Sequence, residues 1–333
     1  MDINVKKIIM KPKFIDELSV PVVAAPMFLI SGPKLVIECC KNGVVGTFPA
    51  LNCRTTEDFE KWVIEIKDAL KEYENESGMK AAPFGVNFIV HLTNPRVQPD
   101  LEICIKHEVP IIITSLGAVS DLVKAVHSYG GIVYHDVIKK RHAEKAAEAD
   151  VDGLILVAAG AGGHAGTINP IALVNEIKKF YNKTILLAGS ISNGNDVATA
   201  IQMGADLAWM GTRFINVEES LADDQYKKMI IESSAEDIVY TAAVSGVNGS
   251  FLRSSLEAMG ITEEMWSKTK KINFGSELDA AKAEAKAWKT IWSAGQGVTS
   301  INDVIPVSNL VSELKTDFLL GLERMKEVYN TYN

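Results

Sequence analysis

Several signatures that would fix a function outright are missing from this chain of 333 residues. No apolar run approaches the roughly 20 residues needed to cross a bilayer. The start, MDINVKKIIMKPKF, carries positive charge without the apolar stretch of a secretory signal. Lys and Arg are not clustered and the net charge is -8. A nucleic-acid duplex or an anionic membrane surface would therefore lack the cations that supply most of its affinity. The short run Lys139-Lys140-Arg141 reads as a helix start or a solvated face. Cysteine is scarce, and Cys39, Cys40, Cys53 and Cys104 show no C-x-x-C spacing. That argues against a zinc clamp or a disulfide framework and suits buried thiols in a reducing cytoplasm. There is no G-x-G-x-x-G after a first strand, no P-loop, no H-E-x-x-H and no G-x-S-x-G, so dinucleotide-fingerprint, P-loop, zinc and serine-hydrolase chemistries find no support and no metal is expected.

What is present is alternation. Short apolar, β-branched runs occur at Val20–Met27, Gly43–Ala50, Phe84–Val90, Pro110–Leu116, Gly131–Val137, Gly153–Ala159, Thr184–Ile191 and Asp206–Phe214. Between them lie helix-length amphipathic segments such as Glu57–Tyr73, Ala118–Tyr129, Arg141–Ala149, Ile171–Tyr181 and Asn195–Met203. Strands apolar on both faces, such as Ile111-Ile112-Ile113, belong to parallel sheets covered outside by helices. Eight such units predict an α/β fold, a (β/α)8 TIM barrel, because an open sheet usually has fewer strands. After Phe214 the alternation stops. Helical stretches at Ala222–Ser233 and Glu277–Ser293 predict a smaller helical domain inserted after strand 8, over residues 217–304. Residues 1–216 and 305–333 would form the barrel, with Val307–Tyr329 as its last outer helix.

In a parallel barrel the chemistry sits at the C-terminal strand ends. Polar and glycine residues gather there, most sharply at Ala188-Gly189-Ser190 and Met210-Gly211-Thr212. Glycine lets backbone N–H groups approach an anion, and barrel phosphate sites are often built from the loops after strands 7 and 8. The run Gly160-Ala161-Gly162-Gly163-His164-Ala165-Gly166 surrounds one imidazole with small residues, clearing room for a flat ring. His164 is the candidate catalytic base; His91, His107, His127 and His142 read as structural. His135 and Asp136 end the fifth strand, where the pair is open equally to one of them meeting a ligand's ring edge and to a salt-bridge or turn role. A phosphosugar isomerase would share the phosphate cradle, but the small-residue loop around His164 suits a wider ligand.

The set Ala24-Ala25-Pro26-Met27, Pro83-Phe84-Gly85-Val86-Asn87, Ala161-Gly162-Gly163-His164-Ala165-Gly166, Leu187-Ala188-Gly189-Ser190-Ile191 and Met210-Gly211-Thr212-Arg213-Phe214 resembles the nitronate monooxygenase family, formerly the 2-nitropropane dioxygenases. Ser293-Ala294-Gly295-Gln296-Gly297-Val298 is similar to that family's late A-G-Q-G element, and the resemblance runs from about residue 15 to about residue 305. It implies FMN as cofactor and oxidation of alkyl nitronates with O2 to a carbonyl compound and nitrite. Ala25, Met27, Asn87, Asp136, Gly162 and Gly163 would flank the flavin ring, and Ala188, Gly189, Ser190, Gly211 and Thr212 would hold its phosphate. His164 matches the catalytic histidine, while Asp136 stands where relatives commonly carry Lys. Flavin-dependent enoyl-ACP and quinone reductases resemble the same pattern, so an NAD(P)H reductase is the alternative. The implied partners are a small-molecule substrate with O2 or NAD(P)H. A homodimer is compatible with the resemblance, and a cytoplasmic setting is expected.

Overall fold

The computed structural model describes residues 11–91, 93–117, 120–244, 246–267 and 291–333. Eight parallel strands close into a barrel in chain order: β1 (Val22–Ala24), β2 (Val45–Pro49), β3 (Phe84–Ile89), β4 (Ile111–Ser115), β5 (Ile132–Val137), β6 (Gly153–Val157), β7 (Thr184–Ala188) and β8 (Leu207–Met210). Closure is made by β1 pairing with β8, Ala24 opposite Met210. Side chains alternate inward and outward along each strand. The inward set, including Val23, Val45, Ile111, Ile113, Tyr134, Ile155, Leu186 and Leu207, fills the barrel, and Phe14, Ile15 and Leu18 plug its lower end. The outward set packs against α1 (Pro33–Lys41), α2 (Thr56–Ser77), α3 (Val97–Lys106), α4 (Ser120–His127), α5 (Lys140–Glu148), α6 (Pro170–Ile177) and α7 (Gly194–Met203). Capping follows local chemistry. The Thr55 hydroxyl accepts from Asp58 N at the start of α2, and Asn193 with Asp196 forms a capping box on α7.

The eighth strand is shorter than its apolar run suggested. It stops at Met210, and Thr212–Ile215 turn into a single-turn helix, α8. An apolar run does not by itself distinguish strand from buried helix, so Asp206–Phe214 overran the true end.

Val217 then pairs with Ile305, so the outgoing and returning chain lie side by side. Between them come α9 (Asp224–Glu232), an antiparallel hairpin of β9 (Ile238–Thr241) and β10 (Gly249–Leu252), α10 (Arg253–Ala258) and α11 (Glu263–Trp266). The insertion is therefore not purely helical, as its sequence had suggested. The stretch expected over Glu277–Ser293 lies mostly outside the described residues. The chain ends in α12 (Val307–Thr331), which packs along α7, Leu314 and Phe318 against Gly194 and Gly321 against Ala198. Among the described residues no helix is long and apolar enough to cross a membrane.

Candidate active site

Twelve of the residues singled out from the strand ends line one cavity of about 860 Å³ at the C-terminal mouth of the barrel: Ala25, Met27, Asn87, Asp136, Gly162, Gly163, His164, Ala188, Gly189, Ser190, Gly211 and Thr212. His135 does not. It points outward from β5, shares a 2.7 Å hydrogen bond with Thr114 Oγ1, and burial holds it neutral with a pKa lowered to about 4. The four cysteines are buried free thiols. Burial pushes Cys40 and Cys53 up to about 12, which leaves them unreactive at neutral pH.

On the β6–β8 side the walls are backbone and small side chains. Gly160 adopts φ +86, and a Cβ there would stand 2.2 Å from Ser190 Oγ, so only glycine fits. Its carbonyl accepts from Ser190 N at 3.3 Å and from Gln296 N at 2.9 Å. The A-G-Q-G segment thus lies backbone against backbone on the glycine loop. A Cβ on Gly295 would sit 2.5 Å from Gly160 O and 2.8 Å from Gly162 N. Gly295 N in turn donates to Thr212 Oγ1 at 2.9 Å, which ties the segment to the turn after β8.

His164 is exposed at the rim on a loop that the insertion holds. Ser250 N of β10 donates to Gly163 O at 2.9 Å, and Tyr240 Oη of β9 donates to Ala165 O at 2.9 Å. The remaining wall is apolar. Ile215, Leu221 and Ile291 line it with Tyr226 and Trp292, whose rings stack with centroids 5.0 Å apart and planes 6° from parallel. Tyr226 Oη is anchored on Ser293 O. Sequence reading missed this pair, because Tyr226 sits in an amphipathic helix where any aromatic looks like core.

On the β3–β5 side three inward residues form a chain. Asn87 Nδ2 donates to Ser115 Oγ at 2.9 Å, and Ser115 Oγ donates to Asp136 Oδ2 at 2.6 Å. Burial raises the Asp136 carboxyl to about 6, against the lowering effect of the Ser115 hydroxyl and the Leu116 N–H. Ser115 is a strand-end residue that carried no motif to mark it. Among the described residues no Lys or Arg lines the cavity, and its ionisable groups are Asp136, His164, Asp223 and Tyr226.

A phosphorylated, planar cofactor fits this architecture. The cavity is wide and walled by small residues on one side. At Gly211 an added Cβ would meet only Ala25 Cβ at 3.7 Å and Met27 Sδ at 4.0 Å, so the turn after β8 stands clear for a ligand. The first N–H groups of α8 and the hydroxyls of Ser190 and Thr212 supply neutral donors there. Fold and cavity together define a (β/α)8 barrel protein with a ligand site at the C-terminal ends of its strands.

The nitronate monooxygenase family model matches residues 11–317, and the chain belongs to that family, whose members are FMN-dependent oxidoreductases. Over 93% of its length it is 22% identical to a nitronate monooxygenase of Paraburkholderia phytofirmans, covering 95% of that protein. It is also 25% identical, over 71% of its length, to a (3aS,4S,5R,7aS)-5-hydroxy-7a-methyl-1-oxo-octahydro-1H-indene-4-carboxyl-CoA dehydrogenase of Rhodococcus jostii. The chain spans between 45% and 64% of the length of that dehydrogenase and two other curated relatives it matches. Among solved structures it is similar to FabK of Thermotoga maritima, with TM-score 0.77, 23% identity, and 94% and 97% of the two chains covered. A nitroalkane oxidase of Streptomyces ansochromogenes matches with TM-score 0.74, 20% identity, and 94% and 100% covered. These two likenesses show the barrel fold.

Proposed function

We propose that this chain is an FMN-dependent nitronate monooxygenase that oxidises small alkyl nitronates with O2 to a carbonyl compound and nitrite. The observation that carries the reading is His164, an exposed imidazole on a loop pinned by Ser250 and Tyr240 at the rim of a cavity with one small-residue wall and one apolar wall. Bound FMN supplies the acceptor for the substrate's electrons. The protein's own residues do the rest. Gly189, Gly211 and Thr212 would present backbone N–H groups, and Ser190 and Thr212 their hydroxyls, to a phosphate. Because Thr212 Oγ1 accepts from Gly295 N, its own proton is left to donate.

His164 takes the α-proton of a neutral nitroalkane, or donates to the nitro oxygens of the nitronate. Ile215, Leu221 and the Tyr226–Trp292 stack cover the alkyl chain and keep water from it. In this reading residues 217–304 act as the substrate-facing lid on a flavin-binding barrel. The test is oxygen uptake with propionate-3-nitronate beside NAD(P)H oxidation with a quinone or a crotonyl thioester. Nitronate-dependent uptake with matching nitrite is expected. NAD(P)H consumption without nitronate turnover would replace this reading with a reductase of the same family.

A further inference from the structure

The Asn87–Ser115–Asp136 chain has a direction. Ser115 has a single hydroxyl proton and gives it to Asp136, while its oxygen takes the Asn87 amide proton. Asp136 therefore ends the chain as an acceptor. Its second donor, the Leu116 N–H, comes from a residue at φ +61 followed by Gly117 at φ +70. Leucine in the left-handed region costs roughly 1–2 kcal/mol. A turn that served only to connect β4 to α4 would not need that strain in a leucine. Strain of this kind, held in place by its surroundings, clusters at functional sites.

The charged surroundings of Asp136 are sparse among the described residues. The neighbouring strands present Asn87, Ser115 and Ile155, none of them charged. On its own strand His135 faces outward, with His142 adding to the effect of burial in keeping it neutral. Lys139, Lys140 and Arg141 at the start of α5 are exposed. His164, Asp223 and Tyr226 line the same cavity.

We infer that Asp136 is a proton-accepting residue of the cavity, taking up one proton from solvent when negative charge arrives or develops on the ligand beside it. The identity of that ligand rests on the FMN reading above. With no Lys or Arg among the described lining residues, protonation of this carboxylate removes a charge that would otherwise repel an anion. Burial has already raised the group to about 6, so it is ionised at neutral pH but close to its titration range. A further unit of negative charge nearby, at an effective dielectric of about 20, raises it by roughly one to two units, through neutrality. The only bond change is the proton transfer itself: an O–H bond of hydronium or a buffer acid in solvent breaks, one forms on the carboxylate, and the anion it faces keeps its electrons.

The experiment measures the midpoint potential of FMN bound to the full chain as a function of pH, in the wild type and in Asp136→Asn. One proton per two electrons is about 30 mV per pH unit. The wild type is expected to show that extra slope across pH 6–8, and Asp136→Asn to lack it. In Ser115→Ala, which folds with the carboxyl intact but loses a donor that favours its ionised form, the break in slope moves to higher pH. A merely structural role would offset the potential at every pH without changing slope. Identical slopes in wild type and Asp136→Asn, or an unmoved break in Ser115→Ala, would overturn the inference while leaving FMN binding intact. A chain that binds no FMN would overturn the flavin reading, and the inference with it.

Discussion

The two sides of the barrel mouth solve the problem of meeting an anion differently. After β6, β7 and β8 the surface, apart from His164 at the rim, is backbone, glycine and hydroxyl, tied together by the Gly295–Gln296 segment lying on Gly160 and Thr212. From β3 to β5 it is a directed chain of side chains ending in a carboxyl of raised pKa. The first side carries fixed neutral donors whose action does not change with pH. The second carries a charge that depends on pH and on what stands next to it. Rigidity on one side and titration on the other suit a ligand with a constant anionic tail and a head whose charge changes during reaction.

This contrast can be broken at several points. Gly295→Val should have the largest effect: its side chain would meet the Gly160 and Gly162 backbone. It is expected to cost about 1–3 kcal/mol in thermal or denaturant unfolding and to abolish flavin retention, read by absorbance after desalting. Retained flavin would mean the backbone side is not a built cradle. His164→Ala should lower turnover by about 10²–10⁴-fold with flavin content unchanged, whereas unchanged turnover would return His164 to a structural role.

Asp136→Asn should separate the two sides by pH. The folded carboxyl is raised from 3.8 to about 6, so the folded state holds the proton more tightly than the unfolded one. Its contribution to stability is complete below about pH 4 and is lost as pH rises through about 6. The variant, which mimics the protonated form, is therefore expected to be more stable than wild type at pH 7 by about 1 kcal/mol, allowing for solvent screening. That gain should vanish near pH 4 in paired urea melts. Smallest of all, Tyr240→Phe removes the hydroxyl that holds Ala165 O. A loss of about 0.5–1.5 kcal/mol should accompany a modest fall in turnover, larger than any change in flavin affinity.

The contrast also explains what could be read in advance. The barrel was legible because eight apolar runs alternate with amphipathic segments, and the glycine side was legible because a backbone that must bend or approach closely selects glycine at fixed strand ends. Gly160, Gly189, Gly211 and His164 announce themselves in this way. Of the side-chain relay, the resemblance names Asn87 and Asp136 but not their connection, since Ser115 is an ordinary residue whose importance comes from its neighbours on β3 and β5, and strand pairing is invisible in a linear sequence. The β9–β10 hairpin escaped for a related reason. Ile238–Thr241 and Gly249–Leu252 are four residues each, too short for a period to stand out. The Tyr226–Trp292 stack joins residues far apart in sequence, and its apolar periodicity fits a core helix equally well.

The most direct test of the central claim is a titration of flavin-free protein with FMN, followed by flavin fluorescence, in the wild type and in Gly211→Val. The account predicts saturation at one FMN per chain in the wild type. It also predicts loss of binding in Gly211→Val, whose side chain would fill the clearing between Ala25 and Met27. Absence of saturable binding in the wild type, or unaltered binding in Gly211→Val, would contradict it.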